Sequence, residues 1–200
     1  MNAPSTTLPK TYFDDVYRAN NDPWSFETSD YERRKYEATV KALPNAHYHN
    51  AFEIGCSIGV LTQMLADRCD QLLAVDASEL PLTAAHARLA TYPNVTIRQM
   101  SIPVEFPDGP FDLILLSEVG YYLSREDLAH ARQLMIDAMS PNGHLLLVHW
   151  TPLVPDYPLT GDEVHDFFGE FAQSDGPLNH VLNQRKETYR LDLFQKRSIE

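Results

Sequence analysis

Cysteine is scarce in this chain of 200 residues, which contains only Cys56 and Cys69. Two cysteines are too few for the disulfide framework that holds small secreted domains together. No histidine or second cysteine lies at metal-ligand spacing around Cys56, so we expect no metal site. The sequence therefore predicts a reduced protein in which Cys56 is a small packing residue.

Long apolar runs are also missing. No segment approaches the roughly 18 apolar residues that a transmembrane helix needs. The first ten residues, MNAPSTTLPK, lack the apolar core of a signal peptide. We therefore expect a cytoplasmic protein with no membrane partner.

Basic charge is low as well. The chain has 16 lysine and arginine residues against 28 aspartates and glutamates, a net charge of −12, and such a balance repels phosphate backbones. The densest basic cluster is Arg33-Arg34-Lys35, which alternates with Glu32 and Glu37. This alternation favours a solvated helix face, so we expect no nucleic-acid partner.

The rest of the composition is that of a globular domain. Apolar residues make up 44% and charged residues 22% of the chain, without repeats or low-complexity tracts. This length fits one well-buried domain and is too short for two ordinary ones. We therefore expect a single domain over residues 1–200, with an N-terminal helical lid segment at 1–44 and a core at 45–200.

Apolar periodicity predicts two helices and then strands that alternate with helices. The first helix covers residues 11–18, and the second follows Ser29, which forms a capping-box pattern with Glu32. The predicted strands cover residues 50–54, 71–76, 94–100, 111–117 and 144–150. Because parallel neighbours need helical crossovers, this order predicts an α/β fold with a doubly wound, mostly parallel sheet.

Helices are predicted in the connections of this sheet. They cover residues 57–68, residues 78–90 with Ser78 as the cap, and a segment from the cap Ser124 to about Met139. The pair Tyr121 and Tyr122 is expected to lead into the last of these, with at least one ring in the core.

The C-terminal part departs from this rhythm. A helix capped by Thr160 and Glu163 precedes two extended stretches at 178–184 and 189–196. The short polar turn RKET that joins them can connect only antiparallel strands. The sheet is therefore predicted to end in a hairpin.

A glycine-containing turn, GCSIG, follows the first strand. Gly55 and Gly59 lie where an open parallel sheet binds its ligands, and glycine permits positive φ and close approach of the backbone. Asp76, at the end of the second strand, can accept hydrogen bonds from a ribose diol. We therefore expect a nucleoside-containing cofactor across this turn.

Glu53 distinguishes between two cofactors. A dinucleotide needs G-x-G-x-x-G, whereas this turn has G-x-x-x-G with Ser57 in place of the middle glycine. A carboxylate about 4 Å from a phosphate costs around 4 kcal/mol at an effective dielectric near 20, whereas beside the ammonium or sulfonium of S-adenosylmethionine it is favourable. A dinucleotide-dependent oxidoreductase is thus the less favoured interpretation.

The same residues carry a family resemblance. The stretches FEIGCSIGVLTQMLADRC, LLAVDAS, FDLILLSEVGYYL and MSPNGHLLLVHW resemble a class I S-adenosylmethionine-dependent methyltransferase. Together with DPWSF and YERRKY, the segment SEVGYYL resembles the nodulation protein S (NodS) group, which methylates the free amine of a partly deacetylated chitin-type oligosaccharide. The resemblance implies a Rossmann-like seven-stranded sheet with an antiparallel last strand and helices on both faces.

The resemblance also implies roles for individual residues. The methionine part of the cofactor would lie against Glu53, Gly55, Cys56, Ser57 and Gly59. Asp76 and Ala77 would hold the ribose, Met100, Ser101 and Ile102 would flank the adenine, and Ser117 and Glu118 would close the site near the sulfonium. The family commonly has a third glycine where Ser57 stands, and often an acid near Ser101.

Methyl transfer needs alignment of the acceptor, and an amine acceptor must also lose a proton. Glu118 and Tyr121, after the fourth strand, are the first candidates for this role, and His149, at the end of the fifth, is another. Trp24 and Arg33 are candidates for a lid over the cofactor, with Arg33 pairing its carboxylate.

The leading hypothesis is a methyltransferase (EC 2.1.1.-) that acts on the amine of an amino-sugar oligosaccharide or a related metabolite. Methylation of oxygen or of another small metabolite is an alternative on the same scaffold. From a different class, the chain could be a non-catalytic, cofactor-binding interaction module. The sequence leaves the oligomeric state open.

Overall fold

A computed structural model describes residues 6–198 of the chain. The helices of this part are α1 (Lys10–Ala19), α2 (Asp30–Lys41), α3 (Val60–Ala66), α4 (Leu82–Arg88), α5 (Arg125–Ala138) and α6 (Gly161–Gly169). The strands are β1 (Tyr48–Ile54), β2 (Cys69–Asp76), β3 (Val95–Gln99), β4 (Phe111–Ser117), β5 (Met139–Trp150), β6 (Leu178–Arg185) and β7 (Tyr189–Lys196).

Seven strands form one mixed sheet in the order β3-β2-β1-β4-β5-β7-β6. The first five strands of the chain pair in parallel, and β7 is antiparallel to both β5 and β6. This arrangement confirms the predicted Rossmann-like sheet with an antiparallel last strand. The parallel strands bring their carboxyl ends to one edge, and that edge positions the site.

The middle strand β4 is buried on both faces, as its continuous apolar run predicts. Ile114 and Leu116 pack in one core cluster, and the alternate residues Leu113 and Leu115 pack in a second. The first cluster includes residues of α5 and α6, and the second includes Tyr36 of α2 and residues of α3. Helices therefore cover both faces of the sheet.

The C-terminal hairpin is confirmed, and it is inserted into the sheet in a specific order. The amide of Lys186 donates to the carbonyl of Tyr189 at 2.8 Å and closes the turn between β6 and β7. The second strand of the hairpin, β7, pairs with β5, so that β6 becomes the edge strand. Asp192 of β7 is thereby buried behind β5 and α6.

Two local predictions are wrong. Helix α4 begins at Leu82 instead of following Ser78 directly, because the Ser78 hydroxyl donates to Asp14 of α1 at 2.7 Å and accepts from the Leu80 amide. The pair Tyr121 and Tyr122 forms a separate 3-10 turn, Gly120–Tyr122, instead of starting α5, but both rings are buried, which confirms the expected core position.

Within residues 6–198, no helix is long and apolar enough to cross a bilayer. The same part of the chain holds no cluster of three or more histidine, cysteine, aspartate or glutamate side chains suited to a metal ion.

The predicted capping box of α6 is present and can be tested. The Thr160 hydroxyl accepts from the Glu163 amide at 3.2 Å, and the Glu163 carboxylate accepts from the Thr160 amide at 2.7 Å. We expect Thr160→Ala to lower the free energy of unfolding in urea by about 1 kcal/mol. Thr83→Ala, on the exposed face of α4, is the matched control and should be neutral or slightly stabilising. An equal loss in both variants would contradict the capping role.

Candidate functional site

A cavity of about 590 Å³ lies at the carboxyl ends of the parallel strands, with residues of the N-terminal segment in its wall. All but three of the predicted site residues line this cavity, and the exceptions are Arg33, Gly59 and His149. The lining residues that the sequence had singled out are Trp24, Glu53, Gly55, Cys56, Ser57, Asp76, Ala77, Met100, Ser101, Ile102, Ser117, Glu118 and Tyr121.

The turn after β1 depends on Gly55. Its φ is +87°, and a Cβ atom at this position would lie 2.3 Å from Cγ2 of Val119 and 3.3 Å from the carbonyl oxygen of Ser117. Only glycine therefore allows the turn to approach the end of β4 so closely. This contact brings the tips of β1 and β4 together on one side of the cavity.

Ser57 adopts the left-handed conformation for which the family commonly uses glycine, with φ at +49°. Its hydroxyl accepts a hydrogen bond from the Tyr17 hydroxyl at 2.7 Å, and its amide donates to the Asp76 carboxylate at 3.0 Å. These two bonds offset the conformational cost of a side chain at positive φ. Tyr17 of α1 thus fastens the N-terminal segment to the glycine turn.

Glu53 is a buried acid at the tip of β1, with 2% of its surface exposed. Its Oε2 atom has no hydrogen-bond partner among residues 6–198. Burial raises the pKa of Glu53 to about 7, although the nearby Thr62 hydroxyl favours the ionised form. A cationic group in the cavity would stabilise this carboxylate and supply the missing partner.

Asp76 lies at the neighbouring tip of β2. Its carboxylate accepts from the amides of Ser57 at 3.0 Å and Ser78 at 2.9 Å. Burial raises its pKa to about 6 in spite of these bonds. Two acids of raised pKa therefore line one cavity, a pattern that is typical of functional sites.

Glu118, after β4, is the centre of a polar cluster and has φ at +58°. Lys35 donates to its Oε1 at 2.6 Å, and the Trp150 amide and the Tyr121 hydroxyl both donate to its Oε2. Burial alone lowers the pKa of Lys35, but ion pairs with Glu118 and Glu32 raise it above the usual value. Lys35 therefore stays charged inside the protein.

The lid role of Arg33 is not supported. Arg33 lies on the exposed face of α2 and pairs with Asp30 at 3.1 Å and Glu37 at 2.6 Å. Lys35 lies about 200° further round the helix and reaches the cavity instead. The predicted solvated face is thus correct for Arg33 and wrong for Lys35, which is 3% exposed.

Gly59 has a packing role instead of lining the cavity. It precedes α3 with φ at +78°, and a Cβ atom there would lie 3.0 Å from Leu89 and 3.2 Å from Ala85. The absence of a side chain therefore lets α3 and α4 pack closely.

His149 is buried behind the cavity wall and cannot act as the base that the sequence suggested. Its Nε2 accepts from the Gly120 amide at 3.0 Å, and its Nδ1 lies 3.1 Å from Nε2 of His165. Because Nε2 is an acceptor, the proton of neutral His149 is on Nδ1 and is donated to His165. Nδ1 of His165 then donates to Asp192 at 2.8 Å. This chain positions the Gly120 turn.

Sequence reasoning missed several cavity residues. Phe13 and Tyr17, four residues apart on α1, both line the cavity, as do Tyr122 and Tyr157. The rings of Tyr122 and Phe13 meet edge to face at 4.9 Å, and those of Tyr122 and Tyr157 at 4.7 Å. The i, i+4 spacing of Phe13 and Tyr17 was a signal for an inward helix face. Nothing local pointed to Tyr157.

Comparison with known proteins finds similarity to one protein family. The family model for nodulation protein S (NodS) matches residues 15–149. Nodulation protein S of Rhizobium tropici is 27% identical over 132 residues, which are 64% of this chain and 55% of that protein. The chain spans 55–62% of the length of the curated relatives it matches.

Solved structures agree on the fold. A Pseudomonas syringae protein, provisionally described as a methyltransferase, is 36% identical, with a TM-score of 0.72 over 83% of this chain and 99% of that one. The N-methyltransferase NodS of Bradyrhizobium japonicum WM9, solved with S-adenosyl-L-homocysteine, is 21% identical, with a TM-score of 0.78 over 94% of this chain and 99% of that one. At 21% identity the second likeness concerns the fold alone.

The buried histidines predict a specific loss of stability in acid. Burial lowers the pKa of His149 well below 6.5, so below that pH the unfolded chain binds a proton that the folded protein does not. We expect the wild type to lose about 1.4 kcal/mol more unfolding free energy than His149→Asn between about pH 7.5 and about pH 5.5.

Urea unfolding at both pH values measures this difference, and contributions of groups that do not contact His149 cancel in the comparison. His86→Asn, on the exposed face of α4, is the control and should lose as much as the wild type. Equal losses in His149→Asn and the wild type would contradict the proposed protonation of His149.

Proposed function

Because the chain belongs to the nodulation protein S family, we propose that it is an S-adenosylmethionine-dependent methyltransferase that acts on the amine of a small molecule. The observation that carries this proposal is a pair of acids, the buried Glu53 and the half-buried Asp76, on adjoining strand tips beside the Gly55 turn. These acids favour a cationic ligand and disfavour one that carries phosphate.

The polar side chains of the cavity fit this cofactor. Glu53 Oε2, which has no hydrogen-bond partner in the described part of the chain, suits the ammonium of its methionine part, and Asp76 suits the ribose diol. The adenine would lie between Met100, Ser101 and Ile102, which line the same cavity. When bound, S-adenosylmethionine supplies an electrophilic methyl group on a sulfonium. The protein's own contribution is to orient both reactants and to exclude water from the cavity.

We propose that residues 1–44 form the lid segment over a core at 45–200. Residues 1–5 and 199–200 lie outside the described part of the chain. Three contacts support the proposal: the Leu8 amide donates to the Tyr122 carbonyl at 2.9 Å, Tyr17 bonds Ser57, and Lys35 pairs with Glu118. Together they hold the lid segment to the tips of β1 and β4. Within this lid, Trp24 lines the cavity and stacks on Phe26.

The acceptor that we propose is the free amine of a partly deacetylated amino-sugar oligosaccharide. The family supports this choice, and the Bradyrhizobium protein is described as an N-methyltransferase. Aromatic rings in the cavity wall, such as Tyr122 and Tyr157, offer faces on which a sugar ring can pack. Tyr157 lies beyond the segment that the family model matches.

Ligand stabilisation and methyl transfer test the proposal. S-adenosylhomocysteine at about 100 times its dissociation constant should stabilise the protein by about 2.7 kcal/mol, or roughly 5–10 °C in melting temperature, and NADH should not. Methyl transfer from S-adenosylmethionine should occur to glucosamine oligomers and be lost in Asp76→Ala.

Simple amines and phenols complete the acceptor panel. Transfer only to hydroxyl groups would overturn the amine assignment and leave the cofactor in place. Stabilisation by NADH alone would overturn the cofactor as well, and cofactor binding without transfer to any acceptor would favour a non-catalytic module.

The raised pKa of Glu53, about 7, predicts that cofactor affinity rises with pH. Below that pH the carboxyl is protonated and cannot pair with an ammonium. Between about pH 6 and about pH 8 its ionised fraction rises from about one tenth to about nine tenths, so affinity for S-adenosylhomocysteine should rise about tenfold.

Calorimetry of Glu53→Gln should show about 10- to 100-fold weaker binding and a smaller pH dependence, because the charge that titrates is gone. Glu79→Gln, exposed beside the site, removes the same net charge and should behave as the wild type. Wild-type affinity that is constant over this range would contradict the pairing.

A further inference from the structure

A second carboxylate lies beside Glu118 in the same cavity. Glu32, in the first turn of α2, lines the cavity and is 8% exposed. Lys35 lies between the two acids, 2.6 Å from Oε1 of Glu118 and 3.1 Å from Oε1 of Glu32. The sequence suggested a capping role for Glu32, but only its amide takes part, donating to Ser29 at 3.3 Å.

The two acids differ in how many donors they bind. Glu118 accepts from Lys35, the Tyr121 hydroxyl and the Trp150 amide, so both of its oxygens are engaged. Glu32 accepts a hydrogen bond only at Oε1 among the described residues. Its Oε2 lies 2.9 Å from Lys35 without hydrogen-bond geometry and is buried. Three of the roughly four lone-pair sites of the Glu118 carboxylate are therefore occupied, whereas Glu32 has more sites free to take a proton.

Burial raises the pKa of Glu32 above its ordinary value, whereas the ion pair with Lys35 lowers it. Glu118 and Asp22 add negative charge and raise this pKa further. The phenols of Tyr31 and Tyr36 also face this cluster. A carboxylate whose pKa is raised in this way is a better proton acceptor near neutral pH than an ordinary glutamate.

An aliphatic amine arrives mainly as an ammonium, which has no lone pair for attack. We infer that Glu32 is the catalytic base that takes one proton from the acceptor ammonium before methyl transfer, an inference that rests on the proposed function. An N–H bond breaks, its electron pair stays on nitrogen, and the proton forms an O–H bond on the Glu32 carboxylate, whose side chain is 11% exposed and lines the cavity. The proton leaves to solvent when the product departs, which restores the carboxylate.

The neighbouring charges suit this role. Lys35 is held between two carboxylates and keeps its own proton, so it cannot be the base. Glu118 pairs with the same lysine and lines the same cavity. With two acids and one lysine, the cluster carries one net negative charge when Glu32 is ionised, and this charge favours binding of a cationic acceptor.

Glu32→Gln tests the inference because it keeps the size of the side chain and an oxygen for Lys35. Glu37→Gln is the matched control: it lies on the same helix, is 52% exposed and pairs with Arg33. Both variants are assayed at about pH 6.5 with two acceptors that differ only at the amine. One is the most reactive amine of the acceptor panel. The other is its analogue with enough fluorine on the carbon next to the amine-bearing carbon to keep the amine mainly neutral at that pH.

We expect Glu32→Gln to lose about 100-fold or more in kcat with the ammonium acceptor, and less than about tenfold with the neutral one. Raising the pH should restore much of the loss with the first acceptor. Melting shifts with S-adenosylhomocysteine should stay at the wild-type value, and Glu37→Gln should match the wild type throughout.

Equal losses with both acceptors, or no loss with either, would overturn the role of Glu32. The proposed function would still stand in that case if the wild type transferred methyl groups to the amine. A variant that loses its melting shift would show a structural role for Glu32, and this too would overturn the inference. If the wild type methylated no amine, both proposals would fall together.

Discussion

The buried ion pair between Lys35 and Glu118 joins the N-terminal helices to the carboxyl edge of the sheet. It links positions 83 residues apart, and the lysine is almost fully enclosed. Removing one member of such a pair leaves an uncompensated charge in the interior, at a typical cost of about 3–5 kcal/mol. The same carboxylate holds Tyr121 and the Trp150 backbone, so one side of the cavity depends on this contact.

Buried acids are expensive, and this protein concentrates them where ligands bind. Glu32, Glu53 and Asp76 all have pKa values raised by burial, and all line one cavity. A sheet of this type hosts many unrelated activities. The function of this protein therefore depends on the acids and on which of them have hydrogen-bond partners, and the sheet only places them. A ligand with two positive centres would relieve much of the electrostatic cost.

Local patterns in the sequence were sufficient for most of the fold. The continuous apolar run of β4 indicated burial on both faces, and the RKET turn indicated an antiparallel hairpin, because each pattern is set by neighbouring residues. Insertion of β7 between β5 and β6 was beyond such patterns, since it depends on which distant strand edges remain unpaired. The start of α4 was also missed, because Ser78 forms its bond with the distant residue Asp14.

For the site, the sequence by itself determined the acids and the glycine that lie at strand ends, since strand order and period fix where Glu53, Gly55 and Asp76 emerge. Only the tertiary structure decided which residues of a charged helix face inward. Lys35 is directed inward because Glu118 supplies its partner charge, and Glu32 is held there by its own pair with Lys35, while Arg33 finds its partners at the surface. His149 faces away from the cavity because the Gly120 amide and His165 complete its hydrogen bonds. Such pairings join distant segments, and no local pattern contains them.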